Sequence, residues 1–150
     1  MNPKEALQYA MNLCSAQERC RSEISEKLAS RKVTSDDIDK ILAVLIAENF
    51  IDESRYARTF AGDKFRLNKW GKVKIRYMLQ HKNIPGEIIE SALLDIGDEN
   101  YSTSLREELS KKRKTIKGSN AFEIRGKLFR FAQQRGFETG LIYKILDEIF

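Results

Sequence analysis

The chain has 150 residues, 41% hydrophobic and 33% charged, with 2 prolines and 8 glycines, a composition that excludes collagen, low-complexity linkers and an acidic disordered tail. A net charge of +5 beside 22 acidic residues points to an anionic partner without making the chain a polycation. No run reaches the ~18 apolar residues of a membrane span, and the N-terminal stretch meets charge before it builds a signal core, so the expectation is a soluble, unexported protein.

Apolar side chains at i, i+3, i+4 and i+7 share one stripe of a helix, and that spacing organises the whole sequence. Ala6, Tyr9, Ala10 and Leu13 predict a first helix. Ser15 followed by Glu18 has capping-box spacing for the start of a second, which carries Ile24 and Leu28. Thr34 with Asp37 suits the start of a third, with Ile38, Ile41, Leu42 and Leu45 as its stripe. Cys14 and Cys20 form neither a Cys-x-x-Cys pair nor a disulfide framework, so they read as core fillers in a reducing compartment, the cytoplasm.

Further along, Tyr56, Ala57 and Phe60 predict a fourth helix, and Ile75 with Leu79 a fifth. Pro85 opens a sixth with Ile89, Ala92, Leu93 and Ile96. Leu105 and Leu109 mark a seventh, Asn120 with Glu123 caps an eighth carrying Leu128 and Ala132, and Ile142, Ile145, Leu146 and Ile149 make a ninth.

The stripes repeat. Ile38, Ile89 and Ile142 stand 51 and 53 residues apart, and the same offsets relate Ile24, Ile75 and Leu128, as well as Val33, Ile84 and Phe137. An all-α fold follows: three tandem three-helix repeats, residues 1–48, 49–98 and 99–150, in an elongated, curved array. Arg31, Lys82 and Arg135 recur near the C-terminal end of each second helix, where a cation meets the negative end of the dipole. Arg21, Lys72 and Arg125 recur near the start of the same helices and would either snorkel over the core edge or project toward a periodic partner.

Enzyme chemistry finds no footing. There is one histidine, His81, and no phosphate loop, dinucleotide fingerprint or His-Glu-x-x-His. The expectation is therefore no catalytic residue, no metal and no cofactor. Basic and acidic side chains number 7 and 8 in residues 1–48, 9 and 7 in 49–98, and 11 and 7 in 99–150, so the excess lies C-terminally. Residues 64–82 hold seven cations and no acid, interleaved with Phe65, Trp70 and Tyr77, the residue types that hold phosphates and stack on bases. A second run is Lys111, Lys112, Arg113 and Lys114 with Lys117.

The segment from Asn49 through Phe50-Ile51-Asp52-Glu53-Ser54-Arg55-Tyr56-Ala57 and Phe60, on to Trp70-Gly71-Lys72-Val73-Lys74-Ile75, resembles the RecX family of bacterial recombinase regulators. Ala6 through Leu28 is similar to that family's first unit, and Arg135-Gly136-Phe137 with Ile142 and Leu146 to its last. Asn49 and Asn83 depart from a glycine pattern, which asparagine accommodates because it tolerates the left-handed conformation at a helix end. The resemblance implies tandem three-helix repeats and a non-catalytic protein, a monomer, that binds RecA filaments and the single-stranded DNA within them. Such a protein restrains strand exchange, ATP hydrolysis and coprotease activity.

On that reading Arg66, Lys69, Lys72, Lys74 and Arg76 form one candidate contact surface, and Lys112, Arg113, Lys114, Lys117, Arg125 and Arg130 another. Two alternatives stay open. One is a helix-turn-helix-like protein that binds DNA directly, although Asp37, Asp39, Glu87 and Glu90 on the third helices of two repeats suit base reading poorly. The other is a protein adaptor whose basic runs serve solubility.

Overall fold

The computed structural model describes all residues, Met1 to Phe150, as nine α-helices with no strand. They are α1 (Pro3–Ala16), α2 (Arg21–Ser30), α3 (Ser35–Ala47), α4 (Glu53–Asn68), α5 (Lys72–His81), α6 (Gly86–Leu94), α7 (Asp98–Arg113), α8 (Ala121–Gln134) and α9 (Thr139–Ile149). Each predicted stripe becomes the buried side of its helix. Ile24, Leu28, Leu45, Ile75, Leu79, Leu105, Leu109, Leu128, Ile142 and Leu146 are all fully buried, each such aliphatic contributing about 1.5–3 kcal/mol by leaving water. None of the nine helices is long and apolar enough to cross a membrane.

The starts predicted at Thr34 and Asn120 are capped as their spacing requires, and Asp52 caps a third. Thr34 accepts the Asp37 N–H at 3.3 Å, Asp52 accepts the Arg55 N–H at 3.0 Å, and Asn120 accepts the Glu123 N–H at 2.9 Å. The start expected at Ser15 is wrong. α1 continues through Ala16, and the Ser15 hydroxyl donates back to the Met11 carbonyl at 2.9 Å, the competing bond open to any helical serine. Glu18 instead accepts from Arg55 Nε at 2.8 Å, and α2 begins after Cys20, whose N–H donates to Glu23 Oε1 at 3.2 Å. Cys20 is buried and Cys14 half-buried, both as free thiols.

The chain divides into two compact units. Unit 1 comprises Met1–Thr59 with Leu79–Ile89, and unit 2 comprises Phe60–Met78 with Glu90–Phe150. In unit 1, α1, α2 and α3 pack on one another around Ala6, Ala10, Ile24, Leu28, Ile38, Ile41, Leu42, Leu45 and Ile51. In unit 2, α7, α8 and α9 pack mutually, burying Tyr101, Leu105, Leu128, Phe137 and Ile145 among others.

Each unit contains a junction of the same design, in which the turn after one repeat's second helix sits on the first turn of the second helix before it. In unit 1 the Ser22 hydroxyl donates to the Lys82 carbonyl at 2.8 Å, and Lys82 Nζ pairs with Glu23 Oε2 at 3.4 Å. In unit 2 the Gly71 N–H donates to the Arg135 carbonyl at 2.6 Å and the Val73 N–H to the Gly136 carbonyl at 2.9 Å. A tyrosine one turn into the first helix of the later repeat completes each junction: the Tyr56 hydroxyl meets Cys20 and Glu23, while the Tyr101 hydroxyl accepts the Lys72 N–H at 2.7 Å and donates to Glu138.

The turn itself requires a left-handed residue, and the three equivalent positions, Lys32, Asn83 and Gly136, have φ of +63°, +58° and +89°. Asn49 also adopts φ of +60°, in the turn where the Phe50 N–H closes back on the Leu45 carbonyl at 2.8 Å. Lysine has no side-chain device to offset that conformation, which costs about 1–2 kcal/mol for an ordinary residue. Lys32→Gly is therefore expected to stabilise the protein by about 0.5–1 kcal/mol after the greater chain entropy of glycine is counted. A higher urea midpoint with an unchanged slope is the expected result, and an unchanged or lower midpoint would refute it.

Candidate functional site

The end of α4, the three residues after it and the start of α5 bring Lys64 to Arg76 of the first basic stretch onto unit 2, while Lys82 belongs to unit 1. Lys69 follows the last residue of α4 with φ of +57°, which turns the chain. Trp70 comes next, half-buried, edge-on to Phe60 at 6.4 Å between centroids. Two ammonium groups lie against its indole, Lys64 Nζ at 5.0 Å and Lys74 Nζ at 4.4 Å from the ring centroid. One aromatic ring thus holds two like charges in place, and an anion arriving beside it would relieve their repulsion.

Other members of the stretch are committed inside the unit. Lys72 reaches the Ile96 carbonyl at 3.4 Å and lies over the Tyr101 ring at 4.9 Å. Arg76 grips Glu90 through two bonds of 2.8 and 2.9 Å, and the guanidinium holds the Glu90 carboxyl below its usual range. Arg66 pairs with Asp63 at 3.1 Å within α4, an exposed contact worth about 0.3–0.5 kcal/mol. Trp70 does pack against a helix, whereas Tyr77 is 58% exposed.

The second set surrounds the ends of α7 and α9. Lys112 Nζ lies over the Phe131 ring at 5.2 Å. Arg113 covers the Phe150 ring at 4.1 Å and donates to the Ile149 carbonyl. Arg125 pairs with Asp147 and also approaches Phe150, at 5.9 Å. Lys114, Lys117 and Arg130 are exposed and carry no ion pair. The Lys117 carbonyl accepts from Lys127 Nζ at 2.6 Å.

Arg135 brings the two sets together. Its Nη1 donates to the Asn68 carbonyl and to Glu108 Oε1, both at 3.3 Å, and its guanidinium lies 4.7 Å from the Phe131 ring that Lys112 also approaches. Arg135 therefore links the end of α4, next to Lys69, to Glu108 of α7 and to the ring that Lys112 approaches. Sequence reasoning gave Arg135 only a dipole-complementing role and passed over Lys64, whose partner Trp70 lies six residues away across a helix end. No group of three or more His, Cys, Asp or Glu side chains is gathered tightly enough to hold a metal ion.

The chain matches known proteins along most of its length. Models described as the first, second and third three-helix domains of RecX match residues 6–45, 52–93 and 99–146. The chain belongs to the RecX family. Among RecX relatives, the regulatory protein RecX of Chlorobium phaeobacteroides is 35% identical over 147 residues, covering 98% of this chain and 95% of that protein. The regulatory protein RecX of Clostridium acetobutylicum is 34% identical over 136 residues, but there the match spans only 63% of the longer relative. The crystal structure of RecX from Lactobacillus salivarius superposes with a TM-score of 0.87 at 24% identity, covering 97% of this chain and 95% of that one. That likeness shows the RecX fold. The three RecX domain matches contain all nine helices in whole or in large part, and each takes in one set of three.

Proposed function

We propose that this chain is a non-catalytic regulator that binds RecA nucleoprotein filaments in the bacterial cytoplasm and restrains recombinase, ATPase and coprotease activity during DNA repair and the SOS response. The observation that carries the reading is the match of all three RecX domains along the chain, in order. The chemistry of unit 2 supports it. Lys69, Lys114, Lys117 and Arg130 form no ion pair and are available to phosphates or to acidic protein groups, and filament contact through several such points gains avidity. Two free cysteines, one of them buried, suit a reducing compartment. We take the three repeats, 1–48, 49–98 and 99–150, as the binding modules and the protein as a monomer.

The test is ATP hydrolysis by preformed RecA filaments on single-stranded DNA, titrated with the protein at fixed salt. Inhibition is expected, with Lys114→Glu/Lys117→Glu weakening it roughly tenfold or more through two lost phosphate or carboxylate contacts. Lys72 is a poor reporter, because its reversal would disturb the Tyr101 junction as well as the surface. Inhibition well below one protein per RecA protomer indicates capping or disassembly, and inhibition only near saturation indicates groove occupancy. No inhibition, together with sequence-selective binding to bare duplex, overturns the reading in favour of a direct DNA-binding protein.

A further inference from the structure

The third repeat departs from the other two on one face. At equivalent positions, α5 and α6 are joined by the Arg76–Glu90 ion pair, whereas α8 and α9 carry Phe129 and Tyr143, stacked at 4.9 Å with 26° between their planes. α8 also begins a turn early: the counterparts of Arg21 and Lys72, which open α2 and α5, is Arg125, yet α8 opens at Ala121. That added turn bears Phe122, 88% exposed, and Tyr143 is 50% exposed. Between Phe122 and Phe129 lies Gly126, whose missing side chain leaves room over the helix; a Cβ there would find only Arg130 Nη1, at 3.5 Å. The Arg130 guanidinium thus lies back over Gly126, in line with Phe122 on the α8 surface.

We propose that Phe122, Gly126, Phe129, Arg130 and Tyr143 form a stacking platform for the unpaired bases of a single-stranded nucleic acid. Exposing a phenylalanine almost completely has a hydration cost that nothing within the chain offsets, and its neighbours define what could cover it. Arg130, beside Gly126, is exposed and forms no ion pair. A protein with an apolar patch would cover the rings but leave this guanidinium facing a dry interface without counter-charge. A single strand presents flat π faces and phosphates together, matching rings and cations alike. Seven residues separate Phe122 from Phe129, about 10 Å along the axis, so the platform offers separate seats to more than one base. Duplex DNA, whose bases are already stacked, cannot use it. The proposal rests on the filament reading only for where such a strand is met.

The experiment measures fluorescence anisotropy of a short labelled oligothymidylate with the full-length protein, beside an abasic oligonucleotide of equal length and charge. The expected result is tighter binding of the base-bearing strand. Phe122→Ala and Tyr143→Ala should each weaken that binding about tenfold or more without changing its salt slope, while Tyr143→Phe retains it. Arg130→Ala should lower the salt slope by about one. Phe122 is so exposed that its removal leaves the core intact, and circular dichroism checks this. Equal affinity for the two strands, or unaltered binding by both aromatic variants, overturns the platform, as does protection of Phe122 by a protein partner with no strand bound. Running the same variants in the RecA ATPase titration separates the two readings. A failed platform with intact inhibition leaves the filament reading standing, and base-dependent binding without inhibition leaves the platform standing alone.

Discussion

Gly136→Ala is expected to destabilise the protein by about 2–5 kcal/mol, lowering Tm by roughly 5–15 °C. Two independent costs combine. At φ of +89° any side chain strains the backbone, and a Cβ at this position would fall on the Lys74 Cβ and lie 2.7 Å from the Lys74 nitrogen. Backbone on both sides leaves little room to relax. Gly71 stands opposite, where a Cβ would collide with the Gly136 carbonyl and the Phe137 nitrogen, so Gly71→Ala should be of similar severity. Gly86 and Gly140 supply the contrast. An added Cβ meets nothing within 4 Å at either, and alanine there should stabilise by about 0.4–1 kcal/mol. Thermal unfolding of the four variants tests the argument, and a Gly136→Ala protein as stable as the parent would refute it.

Tyr101→Ala should cost about 3–5 kcal/mol and Tyr101→Phe about 1–3 kcal/mol, measured by urea unfolding. The ring is 4% exposed and packs against Phe65 at 5.9 Å and Phe137 at 5.1 Å between centroids. Its hydroxyl links the Lys72 N–H to Glu138, so phenylalanine preserves the packing but strips a partner from each. A pH dependence accompanies this. Burial is the first cause holding the Tyr101 hydroxyl above its ordinary value, followed by its bond to Glu138, and burial does the same for Tyr56. An acid whose folded pKa is raised contributes stability that is complete below the unfolded value, near 10 for tyrosine, and is lost as pH rises toward the folded one. Stability should therefore fall above about pH 10, less steeply in Tyr101→Phe. An equal slope in parent and variant would show that the hydroxyl is not held as described.

The helices were legible because their cores are local patterns repeated at a fixed distance: Ile38, Ile89 and Ile142 each sit on a stripe of period 3.6, and all three are buried. Junctions were far less so. Nothing near Gly71 in the chain announces that Gly136, 65 residues later, will lie against it, and the glycines show their purpose only once the turn after α8 meets the start of α5. The candidate surface suffered in the same way. Lys72 and Arg76 look like free cations in sequence because Tyr101 and Glu90 come from later helices. Phe122 escaped notice for the opposite reason, since an apolar residue in a helix is ordinarily taken for core. Cys20 was missed as a helix start because a thiol is an unusual residue there, and Ser15 a familiar one.

The three left-handed turns differ in what surrounds them, and the difference sets a rule for lengthening the molecule. Asn83 and Gly136 each face the first turn of a helix from the repeat before, whereas Lys32 is exposed. A long side chain survives there because nothing is pressed against it. A further helix start seated on this turn, as one is on Asn83 and on Gly136, would turn Lys32 from a tolerated residue into an obstruction, and it would seat only after that lysine gave way to glycine or asparagine.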